Sequence, residues 1–377
     1  MQHCDLLITA EWCVPVEGPP VTLEDHAVAV TDGRIVGLLP VAEAVWQFQP
    51  SRTVERPGHV LIPGLVNTHT HAAMTLFRGF GDDLELEPWL KQRIWPAEQR
   101  WLGPEFVRDG TSLAIAEMLL GGVTCFADQY FFPEIVASTA VDLHIRAVVG
   151  TPVLDFETEW ARDAREYLEK SADLVHDPYA DHPLVTSAFA PHSSAALTDE
   201  DFIELRVMAD QLDIPVQIHL HETRTEIEKA VTNTGMRPIE RLSRLGLVNR
   251  SLLAVHAVHM NDDEIERFAE VGVNIAHCPK SNLKLASGIA RVADYRTAGV
   301  NVALGTDGAA SNNTLDLFAA MQTAARLAKA SAADAAAVAA GEALHMATLA
   351  GARALGLEDR IGSIEAGKQA DLACVDL

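Results

Sequence analysis

Basic residues are scarce in this chain: 29 Lys plus Arg stand against 53 Asp plus Glu, a formal net charge of −24. A field of that sign repels a phosphate backbone, so nucleic acid is excluded as a partner. It also disfavours strongly anionic substrates, although an acidic surface more often serves solubility. Cysteine is sparse and scattered: Cys4, Cys13, Cys125, Cys278 and Cys374 are odd in number and form no C-x-x-C pair. A disulfide framework and a structural zinc knuckle are both excluded, and a reducing compartment fits best. No stretch supplies the roughly 18 uninterrupted apolar residues of a spanning helix, and the start, MQHCDLLITAEW, lacks a basic leader region. No membrane is expected as a partner, and a cytoplasmic location is expected. Beyond the alanine-rich stretch Ala330 to Ala340 there is no low-complexity tract.

What is present is enough apolar material for a large core: 48% of 377 residues are hydrophobic, which suits one big domain with a small satellite. Before residue 58 the chain reads as short strands, DLLITAEWCVPV and HAVAVTDGRIVGLLP, the second turning at Asp32-Gly33. From His59 onward, short apolar runs alternate with helical stretches. The runs are HVLIPGLVNTHTH, GVTCFAD, IRAVVGTPV, LVTSAFAPH, PVQIHLHE, LLAVHAVH, GVNIAHCP and NVALGTD. Such runs are how parallel strands buried on both faces look in sequence. The alternation predicts an α/β protein, a (β/α)8 TIM-like barrel over 59–350, with a small β-sandwich built from both chain ends, 1–58 and 351–377.

Six of the eight runs end in His or Asp: His69 with His71, Asp128, His192, His219, His256 and Asp307. A single histidine at a strand end is usually a satisfied core or rim residue. Polar groups recurring at the same end of successive strands are different, because burying them without partners would cost several kcal/mol together. Catalytic groups of barrel enzymes collect at that end. His69 and His71, spaced i, i+2, face one side of a strand, and His219 and Asp307 bring the set to three imidazoles and one carboxylate. That donor set predicts one divalent metal, Zn²⁺ in preference to Fe²⁺ or Mn²⁺. His221, His259 and His277 are expected behind or around this set rather than within it.

PGLVNTHTHAAMTLFRG, HLHET, HCPKSNLKL and GTDGAASNN, in that order on runs one, five, seven and eight, resemble the methylthioadenosine/S-adenosylhomocysteine deaminase branch of the amidohydrolases. The resemblance runs from about Pro57 to Asp371. It implies that His69, His71, His219 and Asp307 are metal ligands. It implies that Glu222 is the catalytic carboxylate and that His256 sits beside the reacting water, with Asp307 sharing in catalysis. Glu98 corresponds to a carboxylate that takes ribose hydroxyls, and Trp89, His192 and Ser311 fall at substrate-lining positions. A second metal in this superfamily often needs a carboxylated Lys at the end of strand four, where this chain has His192, so one metal is expected.

The implied reaction is hydrolytic deamination of an adenine nucleoside, a small-molecule substrate, with Glu222 as the proton carrier to the ring. A deaminase or chlorohydrolase acting on guanine or a triazine would keep the same metal machinery. A non-catalytic binding barrel is disfavoured because every ligand and Glu222 are intact. Two departures from the branch stand out. His192 is followed by Ser193-Ser194-Ala195 rather than a Pro-aromatic pair, and no Arg stands near Thr151 to grip a homocysteine carboxylate. The second favours methylthioadenosine over S-adenosylhomocysteine, unless Arg162 or Arg165 reaches the same place. The chain ends at Leu377 within an expected strand where members of the branch continue, so the small β unit is expected to be incomplete. A homo-oligomer is compatible with all of this.

Overall fold

A computed structural model describes residues 1–377. Two sheets organise the chain. The first is built from β1 (Gln2–Cys13), β2 (Leu23–Thr31), β3 (Arg34–Pro40), β4 (Phe48–Pro63) and β13 (Leu372–Asp376), in the order β13-β4-β1-β2-β3. The second holds eight parallel strands in chain order: β5 (Leu65–Thr70), β6 (Val123–Gln129), β7 (Arg146–Val153), β8 (Val185–Pro191), β9 (Val216–Leu220), β10 (Leu252–His256), β11 (Asn274–His277) and β12 (Asn301–Leu304). These are the eight expected barrel strands. No helix is long and apolar enough to cross a membrane.

The small unit draws on both chain ends as expected, but it is one mixed sheet. In place of a second sheet, Ala44 of the helix Val41–Gln47 packs with Cys4, Leu7, Ala27, Ala29 and Phe48, while Ile364 packs with Ala10, Val28, Val30 and Ile35 in a separate cluster. The β2–β3 hairpin turns on Asp32 (φ 50°) and Gly33 (φ 71°), the pair of left-handed residues a two-residue hairpin of this kind requires.

The run HVLIPGLVNTHTH, expected as one barrel strand, divides between the sheets. Its first half ends β4 and its second half is β5, with Gly64 at the joint. A Cβ on Gly64 would lie 2.0 Å from Thr124 Oγ1, so only glycine lets the chain pass from one sheet to the other here.

Strands β5, β7, β9, β10 and β11 are buried along their whole length, as parallel strands covered on both faces must be. The helices between them are locally specified. Asn261 caps Asp262–Val271 in a reciprocal box with Glu264, the helix buries Ile265 and Phe268, and Gly272 ends it at φ 76°. Between β12 and β5 the barrel is joined by a seam. Thr68 Oγ1 donates to the Leu304 carbonyl (2.9 Å), Asp307 N–H donates to the His69 carbonyl (3.0 Å), and Asn67 and Thr306 exchange two bonds of 2.7 and 2.9 Å.

Candidate metal centre and active site

The β5–β6 register slips between Leu65 and Val66 and again between Asn67 and Thr70. Val66 belongs to the interior cluster, and His69 and His71, odd numbers of residues further on, still turn into the mouth of the barrel. Irregular pairing of this kind re-aims side chains next to functional sites. Asp128, whose strand-end position drew notice in the sequence, holds this turn. Its Oδ1 accepts from Thr70 Oγ1 (3.0 Å) and from the Ala72 N–H (2.7 Å).

Donor atoms of His69, His71 and His219 all lie within 4.8 Å of one another. His69 Nε2 is 3.1 Å from His219 Nε2, and Asp307 Oδ1 is 3.3 Å from His71 Nε2 and 3.6 Å from His69 Nε2. Four ligands placed tetrahedrally at about 2.0 to 2.1 Å from a zinc ion stand about 3.3 Å apart, and the His69–His219, His71–Asp307 and His69–Asp307 spacings of 3.1, 3.3 and 3.6 Å are close to that value. The hydrogens point the right way as well. His71 Nδ1 donates to the Gln129 carbonyl (2.6 Å) and His219 Nδ1 to the His192 carbonyl (2.7 Å), which leaves both Nε2 lone pairs facing the centre. Burial holds His69 and His219 well below the usual imidazole range, and the neutral form this favours is the one that binds metal. Burial works against the charge of Asp307, but the neighbouring His71, with His256 and the Ser281 hydroxyl, outweighs that and holds its carboxyl well below the ordinary range.

Glycine again permits close approach. A Cβ on Gly305 would come within 3.0 Å of His69 Cβ and Cys278 Sγ, so a side chain there would push the seam apart. Asp307 itself sits at φ 62° and accepts from the Gly308 N–H (2.8 Å) and from Ser281 Oγ (2.6 Å).

Beside this cluster Glu222, 6% exposed, has Oε2 3.7 Å from His256 Nε2. His256 Nδ1 bonds to Asn282 Oδ1 (2.9 Å), and Glu222 Oε1 accepts from Ser287 Oγ (2.9 Å). His71, His219, Glu222, His256 and Asp307 line one cavity of about 1710 Å³, together with Trp89, Glu98, His192 and Ser311 among others. A typical small-molecule site needs roughly 300 to 1,000 Å³, so a nucleoside leaves room for an extended substituent.

Every candidate residue therefore borders this cavity except His69, which is fully buried beneath it. Trp89 is buried and its indole N–H has no partner in the protein. Glu98 accepts from Tyr130 Oη (2.7 Å), and burial raises its carboxyl. His192 is exposed to the cavity with its ring 4.8 Å from that of His219, and the surrounding protein, with the nearby His71 and His256, lowers its basicity. Ser311 lies on the short helix Ala309–Asn312.

The histidines set aside in the sequence do lie elsewhere. His221 turns towards Arg237 and Glu264, His259 Nε2 bonds to the Ser287 carbonyl (2.7 Å), and His277 is buried at the end of β11. Arg162 lines the cavity with its Nε engaged by Glu166 (2.7 Å). Arg165 pairs with Glu169 instead and is not among the lining residues.

Sequence reasoning missed Tyr130, Ser281, Asn282 and Ser287. The last three lie in or just beyond HCPKSNLKL, so the motif carried a signal, but a string does not name a hydrogen-bond partner.

A parallel eight-stranded barrel with three imidazoles and a carboxylate at its mouth defines a class. The amidohydrolase family model matches residues 60–377, and the chain belongs to that family. Within it, the chain is 46% identical over 373 residues to a 5-methylthioadenosine/S-adenosylhomocysteine deaminase of Teredinibacter turnerae, covering 99% of this chain and 84% of that protein. It superposes with a TM-score of 0.98 on the crystal structure of an adenosine deaminase from Xanthomonas campestris with bound zinc, at 54% identity over 100% of this chain and 85% of that one. A zinc complex of an atrazine chlorohydrolase from Arthrobacter aurescens is more distant, with a TM-score of 0.91 and 26% identity over 99% of this chain and 87% of that one.

Proposed function

We propose that this protein is a zinc-dependent deaminase that converts 5′-methylthioadenosine, and other adenosines altered at the 5′ position such as S-adenosylhomocysteine, to the inosine analogue and ammonia. The observation that carries the reading is the set His69, His71, His219 and Asp307, gathered for one ion, beside Glu222 and His256 in a cavity large enough for a nucleoside with a 5′ substituent. Identities of 46% and 54% to adenine-nucleoside deaminases, against 26% to a triazine hydrolase, favour adenine over another heterocycle.

In this reading His69, His71, His219 and Asp307 hold the cation. When bound, it supplies the Lewis acidity that makes water nucleophilic near neutral pH. Glu222 takes a proton from the attacking water and gives it to N1 of the purine as the C6–O bond forms, so that the ring's lost aromaticity is met by charge neutralisation. His256 Nε2 orients the water, and Asp307 takes the water's remaining proton and passes it to the amino group, which leaves as ammonia. Glu98, held by Tyr130, receives ribose hydroxyls, and the Trp89 ring lines the cavity beside it. His192 and Ser311 border the same space.

The outer wall favours a neutral 5′ substituent. Each cation that lines the cavity already has a carboxylate: Arg162 and Lys170 share Glu166 (2.7 and 3.2 Å), Lys91 and Lys229 share Glu87 (2.5 and 2.9 Å), and Arg241 pairs with Asp199 (2.6 Å). Ammonia release from a panel of nucleosides tests the reading. 5′-Methylthioadenosine should exceed S-adenosylhomocysteine in kcat/KM by about tenfold, since an unpaired carboxylate costs about 1 to 3 kcal/mol. Turnover of guanine or a triazine with none of the adenosines would overturn it. If S-adenosylhomocysteine equals the thioether, Arg162→Met should lower its turnover alone, and Arg165→Met should change neither.

A further inference from the structure

Deamination by Glu222 needs its proton on the oxygen that faces the reaction, and a carboxyl has two oxygens. The segment following β11 touches three of the proposed reacting groups: Ser281 reaches Asp307, Asn282 reaches His256 and Ser287 reaches Glu222. Ser287 bears directly on the proton. It is 5% exposed, and its backbone is pinned on both sides: its N–H donates to the Asn282 carbonyl (2.8 Å) and its carbonyl accepts from His259 Nε2 (2.7 Å). Its neighbours Ala286 (φ 55°) and Gly288 (φ 129°) hold left-handed backbone, so the turn itself sets where the hydroxyl lies. Glu222 is held from behind as well, its N–H donating to Glu226 Oε2 (2.8 Å).

We infer that Ser287 is a positioning residue for the reaction, its hydroxyl reserving Glu222 Oε1 by donation and so assigning the transferable proton to Oε2, the oxygen 3.7 Å from His256 Nε2. The inference rests on the deaminase reading. Its proton balance closes without Ser287 losing a hydrogen. Water gives its first proton to Glu222 Oε2, which passes it to N1 as the C6–O bond forms. The second water proton goes to the amino group as the C6–N bond breaks, leaving a 6-oxo purine with hydrogen on N1, and ammonia.

The test uses the zinc-loaded full chain with 5′-methylthioadenosine. Ser287→Ala should lower kcat about tenfold or more, which is what one hydrogen bond to a charged group is worth, with KM within about twofold and metal content unchanged. Ser287→Thr, which restores a hydroxyl, should recover most of the loss. In a Glu222→Gln background, where there is no carboxyl proton to place, Ser287→Ala should cost less than about twofold. Should Ser287→Ala not accumulate folded, Ser287→Cys, close in size and a weak donor, carries the same comparison. Wild-type kcat in Ser287→Ala, or in Ser287→Cys where that variant replaces it, or an equal loss in the Glu222→Gln background, would overturn the assignment. A wild-type enzyme that releases no ammonia from any adenosine would instead overturn the deaminase reading itself.

Discussion

The two ends of the barrel's interior are built on opposite principles. At the mouth, His69, His71, His219, His256, Glu222 and Asp307 lie within a few ångströms of one another, and most have a named partner behind them. Towards the other end, Val66, Cys125, Val148, Leu253, Ala276 and Ala303 meet Ala352, Ala354, Leu355, Leu357 and Ile361, a segment that returns after the last strand and seals the barrel with apolar side chains. The seal gains hydrophobic stabilisation at about 25 cal/mol per Å² of apolar area removed from water, while the mouth gives up that gain to gather polar groups. Stability and chemistry are thus separated along one axis, and changes at the two ends should separate them too.

The largest expected effect is at the mouth. Removing the cation with a chelator, or Asp307→Asn, should lower kcat by about 10³-fold or more, since Lewis acidity contributes several kcal/mol to such reactions. Zinc should restore the chelated enzyme and leave the Asp307→Asn variant inactive, as measured by ammonia release and elemental analysis. At the sealed end Leu357→Ala should do the reverse: a loss of about 3 kcal/mol in a denaturant titration, with kcat per folded molecule unchanged. A matching fall in kcat would mean the two ends are not independent. Glu222→Gln should keep the metal and lower kcat by about 10²-fold or more, with stability unaltered.

The smallest effect concerns acid. His277 is buried at the end of β11, and its basicity is pushed down to about 3, first by burial and then by His256. Its ordinary value, and its value in the unfolded chain, is near 6.5. The folded protein therefore binds fewer protons here than the unfolded one. The contribution to stability is complete above pH 6.5 and is lost as pH falls towards 3, by about 1 kcal/mol at pH 6. His277→Asn should flatten that share of the Tm-against-pH curve; an unchanged slope would place the acid sensitivity in other histidines.

What the sequence made legible divides along the same line. The eight apolar runs and the histidines at their ends could be read because burial on both faces and i, i+2 spacing are local patterns. The division of HVLIPGLVNTHTH could not, since its apolar run is continuous and the bend at Gly64 answers to Thr124, about 60 residues away. The supporting hydroxyls and amide were hidden for the same reason. Ser281 and Asn282 each meet partners 26 residues distant and Ser287 one 65 residues distant, and Ser or Asn in a loop usually serves only the loop. Arg162 and Arg165, indistinguishable as neighbours on a string, point to different places because the helix Ala164–Ser171 begins between them.

The seam between β5 and β12 has a consequence for how the molecule comes into being. Asn67 and Thr306 bond across 239 positions of chain, and His69 meets Asp307 over nearly the same span. A nascent chain on the ribosome can carry His69, His71 and His219 long before Asp307 exists, and the circle that brings all four together closes only once the twelfth strand has emerged. The four-residue nest is therefore completed late in synthesis, and a fragment truncated before residue 307 would display histidines without a complete nest for the ion.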